Sequence, residues 1–93
     1  MEISYDPTKS ARNATERGLP FDRAADFDLE HAVVMIDDRR DYGEVRYRAF
    51  GMLGGRLHAL VFKETARGIR VISLRRANKR EVKRYATKTK DEP

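Results

Sequence analysis

The chain has no cysteine, no tryptophan, two histidines and three prolines in 93 residues. Without cysteine no disulfide can hold the fold. His31 and His58 stand 27 positions apart, so no zinc-ligand spacing exists. No apolar run approaches the roughly 20 residues that cross a bilayer, and the polar, acidic opening MEISYDPTKS has no signal-peptide pattern. Asp37, Asp38 and Asp41 are interrupted by Arg39 and Arg40, which reads as a charged turn rather than a cation loop. Gly51, Gly54 and Gly55 lack the strand-to-helix context of a phosphate loop. These absences lead to the expectation of a cytoplasmic protein that works without metal, cofactor or membrane.

What the chain has in excess is charge of one sign in one half. Residues 1–45 carry 6 Lys/Arg against 11 Asp/Glu, and residues 46–93 carry 14 against 4. The net of +5 therefore conceals an acidic half and a strongly basic half, a distribution that points to an anionic partner. The alternative is a solvated surface whose halves neutralise one another on folding.

The apolar pattern predicts one domain over residues 1–93. Glu2 to Tyr5 alternates and suits a short strand. Asp6-Pro7 is a helix start, with a capping carboxylate and a residue that has no N–H to lose. Gly18 is a stop, so a helix is expected over 7–17 with Pro7, Ala11 and Ala14 on one face. Phe21, Ala24, Ala25 and Leu29 predict a second short helix over 21–27. Strands are expected over 32–36, 44–51, 56–63 and 69–74, separated by polar or glycine turns too short for parallel crossovers. Val45, Tyr47 and Ala49 oppose Arg46 and Arg48 on the second of these. Both faces of 56–63 are apolar enough to be covered. Asn78 and Glu81 have capping-box spacing and open a last helix with a thin Val82, Tyr85, Ala86 stripe. The segment 88–93 is expected to fray. The fold class is α+β: an antiparallel four-stranded meander with two N-terminal helices and one C-terminal helix.

Three groups of residues resemble one known family. Tyr5-Asp6-Pro7, Lys9, Asn13, Gly18, Phe21 and Ala24 form the first. Asp38-Arg39, Tyr42-Gly43-Glu44 and Arg46 form the second. Arg70, Ser73, Arg75-Arg76-Ala77, Glu81 and Tyr85 form the third. In this order they are similar to the BrnT family of toxins from bacterial type II toxin–antitoxin modules. The chain departs from that pattern at Glu16-Arg17-Gly18, where Lys-His-Gly is common, and at Tyr5, where Trp is usual. The resemblance implies a RelE-like fold, endoribonuclease activity, and neutralisation by a BrnA-like antitoxin through which the complex would bind operator DNA.

Metal-free RNA cleavage turns the 2′-hydroxyl on the adjacent phosphate. It needs a base, an acid for the departing oxygen, and cations for the charge that develops on phosphorus. Arginine suits the last task because its planar fork grips two phosphate oxygens and stays charged. The candidates are Arg75 or Arg76 with Arg46 as the phosphate grip, and Glu44, His58 and Tyr85 as acid/base groups. Arg48, Lys79, Arg80, Lys83 and Arg84 are candidate RNA contacts. Each has a plainer reading: Tyr85 as a core-edge residue, His58 as a packed histidine, Glu44 as Arg46's surface ion pair, and the helix cations as a solvated face. A second functional reading is a non-catalytic subunit that binds nucleic acid or antitoxin, including a toxin whose site has decayed.

Overall fold

In the computed structural model, which describes residues 1–90, the first helix begins and ends where its signals stand. Asp6 Oδ1 accepts the backbone N–H groups of Thr8 and Lys9 at 2.9 and 3.4 Å, and Gly18 closes the helix at φ 69°. The helix, α1, spans Pro7–Arg17. Its buried face is polar, formed by Ser10 and Asn13, whereas Pro7 and Ala11 are exposed. Asn13 Nδ2 donates to the carbonyls of Leu19 and Leu74 at 2.6 and 2.9 Å, and Ser10 Oγ accepts from Phe21 N at 2.8 Å. Those bonds satisfy backbone groups that the loop and sheet would otherwise bury unpaired, which is why polar side chains displace the expected alanine face.

The expected second α-helix is a 3₁₀ helix over Phe21–Asp26. Phe21, Ala24 and Phe27 are buried at intervals of three while Ala25 is exposed. That period is the eclipsed i, i+3 spacing of a 3₁₀ turn, not the α period.

Five strands follow or flank these turns: β1 Glu2–Ser4, β2 Val33–Ile36, β3 Tyr47–Leu53, β4 Arg56–Glu64 and β5 Gly68–Arg76. Their order is β1-β5-β4-β3-β2. The antiparallel meander β2 to β5 is present, but the sheet has five strands rather than four, because β1 joins β5 in parallel. Gly68 makes that pairing possible. A Cβ there would collide with the backbone of Glu2. The chain then turns at Ala77-Asn78 into α2, Lys79–Lys90, where the expected frayed segment is helical through Lys90 and residues 91–93 lie outside the described part. No helix among the described residues is long and apolar enough to cross a membrane.

The core occupies one sheet face. Ala49, Leu53, Leu60, Phe62, Ile69, Val71 and Leu74 pack there against Leu19, Phe21, Ala24 and Phe27. The pairing of β4 with β5 shifts register at Val61/Phe62: Phe62 opposes Val71, yet Val61 opposes Ser73, leaving Ile72 as the extra residue. A bulge of this kind re-aims the side chains beyond it. Ile69 and Val71 face the core, and after the bulge so does Leu74, which is fully buried.

Candidate nucleic-acid interface

Strict alternation from Ile69 and Val71 would send residue 75 into the core. The bulge sends it to the opposite face, with Arg70. Cross-strand register then fixes the neighbours. One row runs Val33, Phe50, Ala59, Arg75, and the next runs Met35, Arg48, Val61, Ser73. Arg48 and Arg75 thus rise from strands on either side of β4, across a floor of Ala59 and Val61. Two strand spacings separate those backbones by roughly 9–10 Å, a gap that two long guanidinium arms can close.

The loop between β2 and β3 completes the concavity. Asp37, with a side chain only 1% exposed, accepts Arg39 Nε and NH2 at 2.7 and 2.8 Å and Tyr42 Oη at 3.2 Å. The guanidinium of Arg39 is the main reason that the Asp37 carboxyl lies well below its usual range, at about 2. Tyr42 in turn carries Arg46 over its ring, 4.2 Å from the centroid, a cation–π contact that fixes that guanidinium. Arg39, Tyr42, Arg46, Arg48, Ser73 and Arg75 line one pocket over the Ala59 and Val61 floor.

Carboxylates steer three of these four arginines. Arg75 NH1 and NH2 donate to Glu81 Oε1 and Oε2 at 2.7 and 2.8 Å, and this pairing depresses the Glu81 carboxyl to about 2. Arg46 Nε donates to Glu44 at 3.0 Å, and Lys63 Nζ reaches the other Glu44 oxygen at 3.3 Å. Arg46 first, then Lys63, keeps Glu44 ionised below its ordinary range. Each guanidinium has five N–H donors, so every one of these pairs leaves donors over for a further anion. Arg48 differs. Its NH2 lies 3.5 Å from Met35 Sδ, and its Nε is buried without a hydrogen-bond partner.

The basic surface continues past Arg46. Lys63 and Arg70 are direct cross-strand partners on the open face, and with Lys9 and Arg46 they line an adjoining depression whose acidic members are Asp6 and Glu44. Like charges placed directly opposite one another repel, and the Glu44 carboxylate, 3.3 Å from Lys63 Nζ, offsets part of that repulsion.

The structure brings Arg46, Arg48, Arg75 and Glu44 onto one face but does not gather all the expected residues there. His58 pairs across strands with Arg76 and shares its face with the core residues Leu60 and Leu74. It is buried, with Nδ1 2.9 Å from the Arg56 carbonyl, so the packed-histidine reading describes its surroundings. Arg75 and Arg76, adjacent in sequence, point to opposite faces, as strand neighbours must. Tyr85 lies beside the site rather than in it. Its hydroxyl reaches the His31 carbonyl at 3.5 Å, and it lines a pocket with Arg84, Phe50 and Arg48. Lys79, Arg80 and Lys83 are exposed along α2. Arg39, Tyr42, Lys63 and Arg70 belong to the site although residue type alone did not single them out. The parity of Lys63 with Ala59 and Val61 was a readable signal for one of them. Asp37 was not readable, since nothing in a polar loop announces a buried carboxylate.

The three groups of residues noted in the sequence divide by role. Tyr5, Asp6, Asn13, Gly18, Phe21 and Ala24 cap, tether or fill the scaffold, and Tyr5 meets Phe21 edge-to-face at 6.1 Å. From the second and third groups Arg39, Tyr42, Glu44, Arg46, Arg70, Ser73 and Arg75 meet on the arginine face, whereas Arg76 points to the other side. Glu16 and Arg17, at the departure from the family pattern, are exposed on α1. A family profile described as "Ribonuclease toxin, BrnT, of type II toxin-antitoxin system" matches residues 5–81. No curated protein matches the chain.

Proposed function

This chain belongs to the BrnT family of ribonuclease toxins of type II toxin–antitoxin systems, and from that premise we propose that its arginine face binds an RNA strand and cleaves it by metal-independent transesterification. One observation carries the reading: four arginines and a tyrosine converge over a floor of small residues, on the face that the core does not use. Arg46, Arg48 and Arg75 grip the phosphate and stabilise the charge that grows on it as the 2′-oxygen attacks. Glu44, in the adjoining depression and hydrogen-bonded to Arg46 and Lys63, is the carboxylate assigned to take the 2′-hydroxyl proton. Tyr42, which lines this pocket, and Tyr85, which lines the adjoining one, are the phenols assigned as acids. Lys63, Arg70 and Lys9 carry the flanking backbone.

The partner that silences the toxin is a BrnA-like antitoxin presenting an acidic segment to the same face, with the complex reaching operator DNA through the antitoxin. β1 and β2 are the edge strands of the sheet, the positions at which a partner adds a strand.

Purified protein incubated with cellular RNA, with and without ribosomes, tests the activity. Cleavage that persists in EDTA and is lost in Arg75→Ala is expected. Intact RNA under every condition, with unimpaired growth of cells expressing the chain alone, would leave only the non-catalytic reading.

A further inference from the structure

The arginine pocket has a neighbour of different chemistry. Val33, Met35 and Phe50 of β2 and β3 form a half-buried apolar floor, and Tyr85 of α2 stands over it. The rim is polar, with Glu81 and Arg84 from α2 and Arg48 from β3. Arg48 and Phe50 also line the phosphate pocket, so the two cavities share a wall. Arg48 is the residue whose buried Nε has no hydrogen-bond partner. Such an atom costs free energy unless something accepts from it.

We propose that this second pocket is a nucleobase subsite, which takes one unpaired base of the RNA strand whose phosphate lies on the arginine face. The inference rests on the proposed function and extends it. The floor matches a base's apolar face, Phe50 and Tyr85 offer rings on which it stacks, and Arg48 supplies a donor toward a ring nitrogen or carbonyl on its edge. The shared wall decides between a base and an apolar side chain of a protein partner. A phosphate held by Arg48 and Arg75 leaves the attached nucleotide beside Phe50, which lines both cavities. The subsite demands an unstacked base, so the substrate class is single-stranded RNA; a base locked in a duplex cannot turn onto Phe50.

The test uses a short 2′-O-methyl oligoribonucleotide, which the enzyme cannot cleave, with 2-aminopurine placed at each position in turn. Binding is followed by anisotropy of a terminal dye and stacking by 2-aminopurine fluorescence. One position is expected to be quenched on binding. Tyr85→Ala and Phe50→Leu should abolish that quenching and weaken binding about fivefold or more, while Tyr85→Phe should retain both. An abasic nucleotide at the same position should weaken wild-type binding to a similar degree and add little to Tyr85→Ala, because the two changes remove one interaction. Tight, salt-sensitive binding with no quenched position, or equal affinity for the abasic strand, overturns the subsite and leaves the RNA-binding reading intact. Failure of the wild type to bind any strand overturns both. Quenching that survives in both Tyr85→Ala and Phe50→Leu places the base elsewhere and also overturns the proposal.

Discussion

Arg75 and Glu81 meet end-on where β5 gives way to α2, with two hydrogen bonds of 2.7 and 2.8 Å. The same carboxylate accepts the Asn78 backbone N–H at 2.9 Å, while Asn78 Oδ1 accepts from Glu81 N at 2.9 Å. One side chain therefore closes the capping box of α2 and aims an arginine at the pocket. This junction anchors the first turn of the helix; farther along, Val82 is 46% exposed and Tyr85 reaches the His31 carbonyl.

Replacing Glu81 by Gln should loosen α2 and cost about 1–3 kcal/mol, the usual penalty for breaking a charged, partly buried hydrogen-bond pair. Urea denaturation measures the loss. Cleavage should also fall, because Arg75 loses its orienting partner. An unchanged denaturation midpoint would mean that packing alone secures the helix.

Acid should destabilise the protein for a definable reason. Glu81 is lowered from 4.5, and Asp37 from 3.8, each to about 2. Folding favours the ionised form of each, so their contribution is complete above about pH 5 and is lost as pH falls toward 2. Denaturation midpoints measured between neutral and acid pH should decline in that window. Asp37→Asn and Glu81→Gln should each flatten the decline.

Arg48→Met should separate stability from function. The substitution removes a buried, unpartnered Nε and keeps an unbranched apolar stem against Met35. The unfolding free energy is expected to hold or rise by about 1 kcal/mol. RNA cleavage should drop about a hundredfold, and the salt dependence of RNA binding should lose roughly one phosphate contact's worth of slope. A variant that is much less stable, or fully active, contradicts the role given to Arg48.

Two adjacent arginines should behave differently. Arg75→Ala is expected to restore growth to cells that express the toxin alone, whereas Arg76→Ala, on the other face, should leave toxicity intact. His58→Gln should likewise leave the activity of the folded fraction within a few fold. Growth rescued by Arg76→Ala at normal expression would move the site to the other face.

The sequence by itself determined the local structure. Asp6 with Gly18 set both ends of α1, Asn78 with Glu81 set the start of α2, and alternation with short turns located the four meander strands, although β3 runs over Tyr47–Leu53 and leaves 44–46 of the expected 44–51 strand in the loop. These are legible because capping and strand period depend on neighbours a few residues away. It also held the excess of arginine in the second half, since charge needs no fold to be counted. Tertiary structure alone decided how that charge is used. The extra residue at Ile72 turns Arg75 to the open face and Leu74 into the core. That inversion belongs to pairing with β4 and leaves no trace in the composition of β5. The parallel docking of β1 fixes the need for glycine at 68, a constraint imposed by Glu2, its register partner 66 positions away. Likewise, His58 reads as chemistry in a sequence and as packing in the sheet, because only cross-strand register says which face a side chain is on.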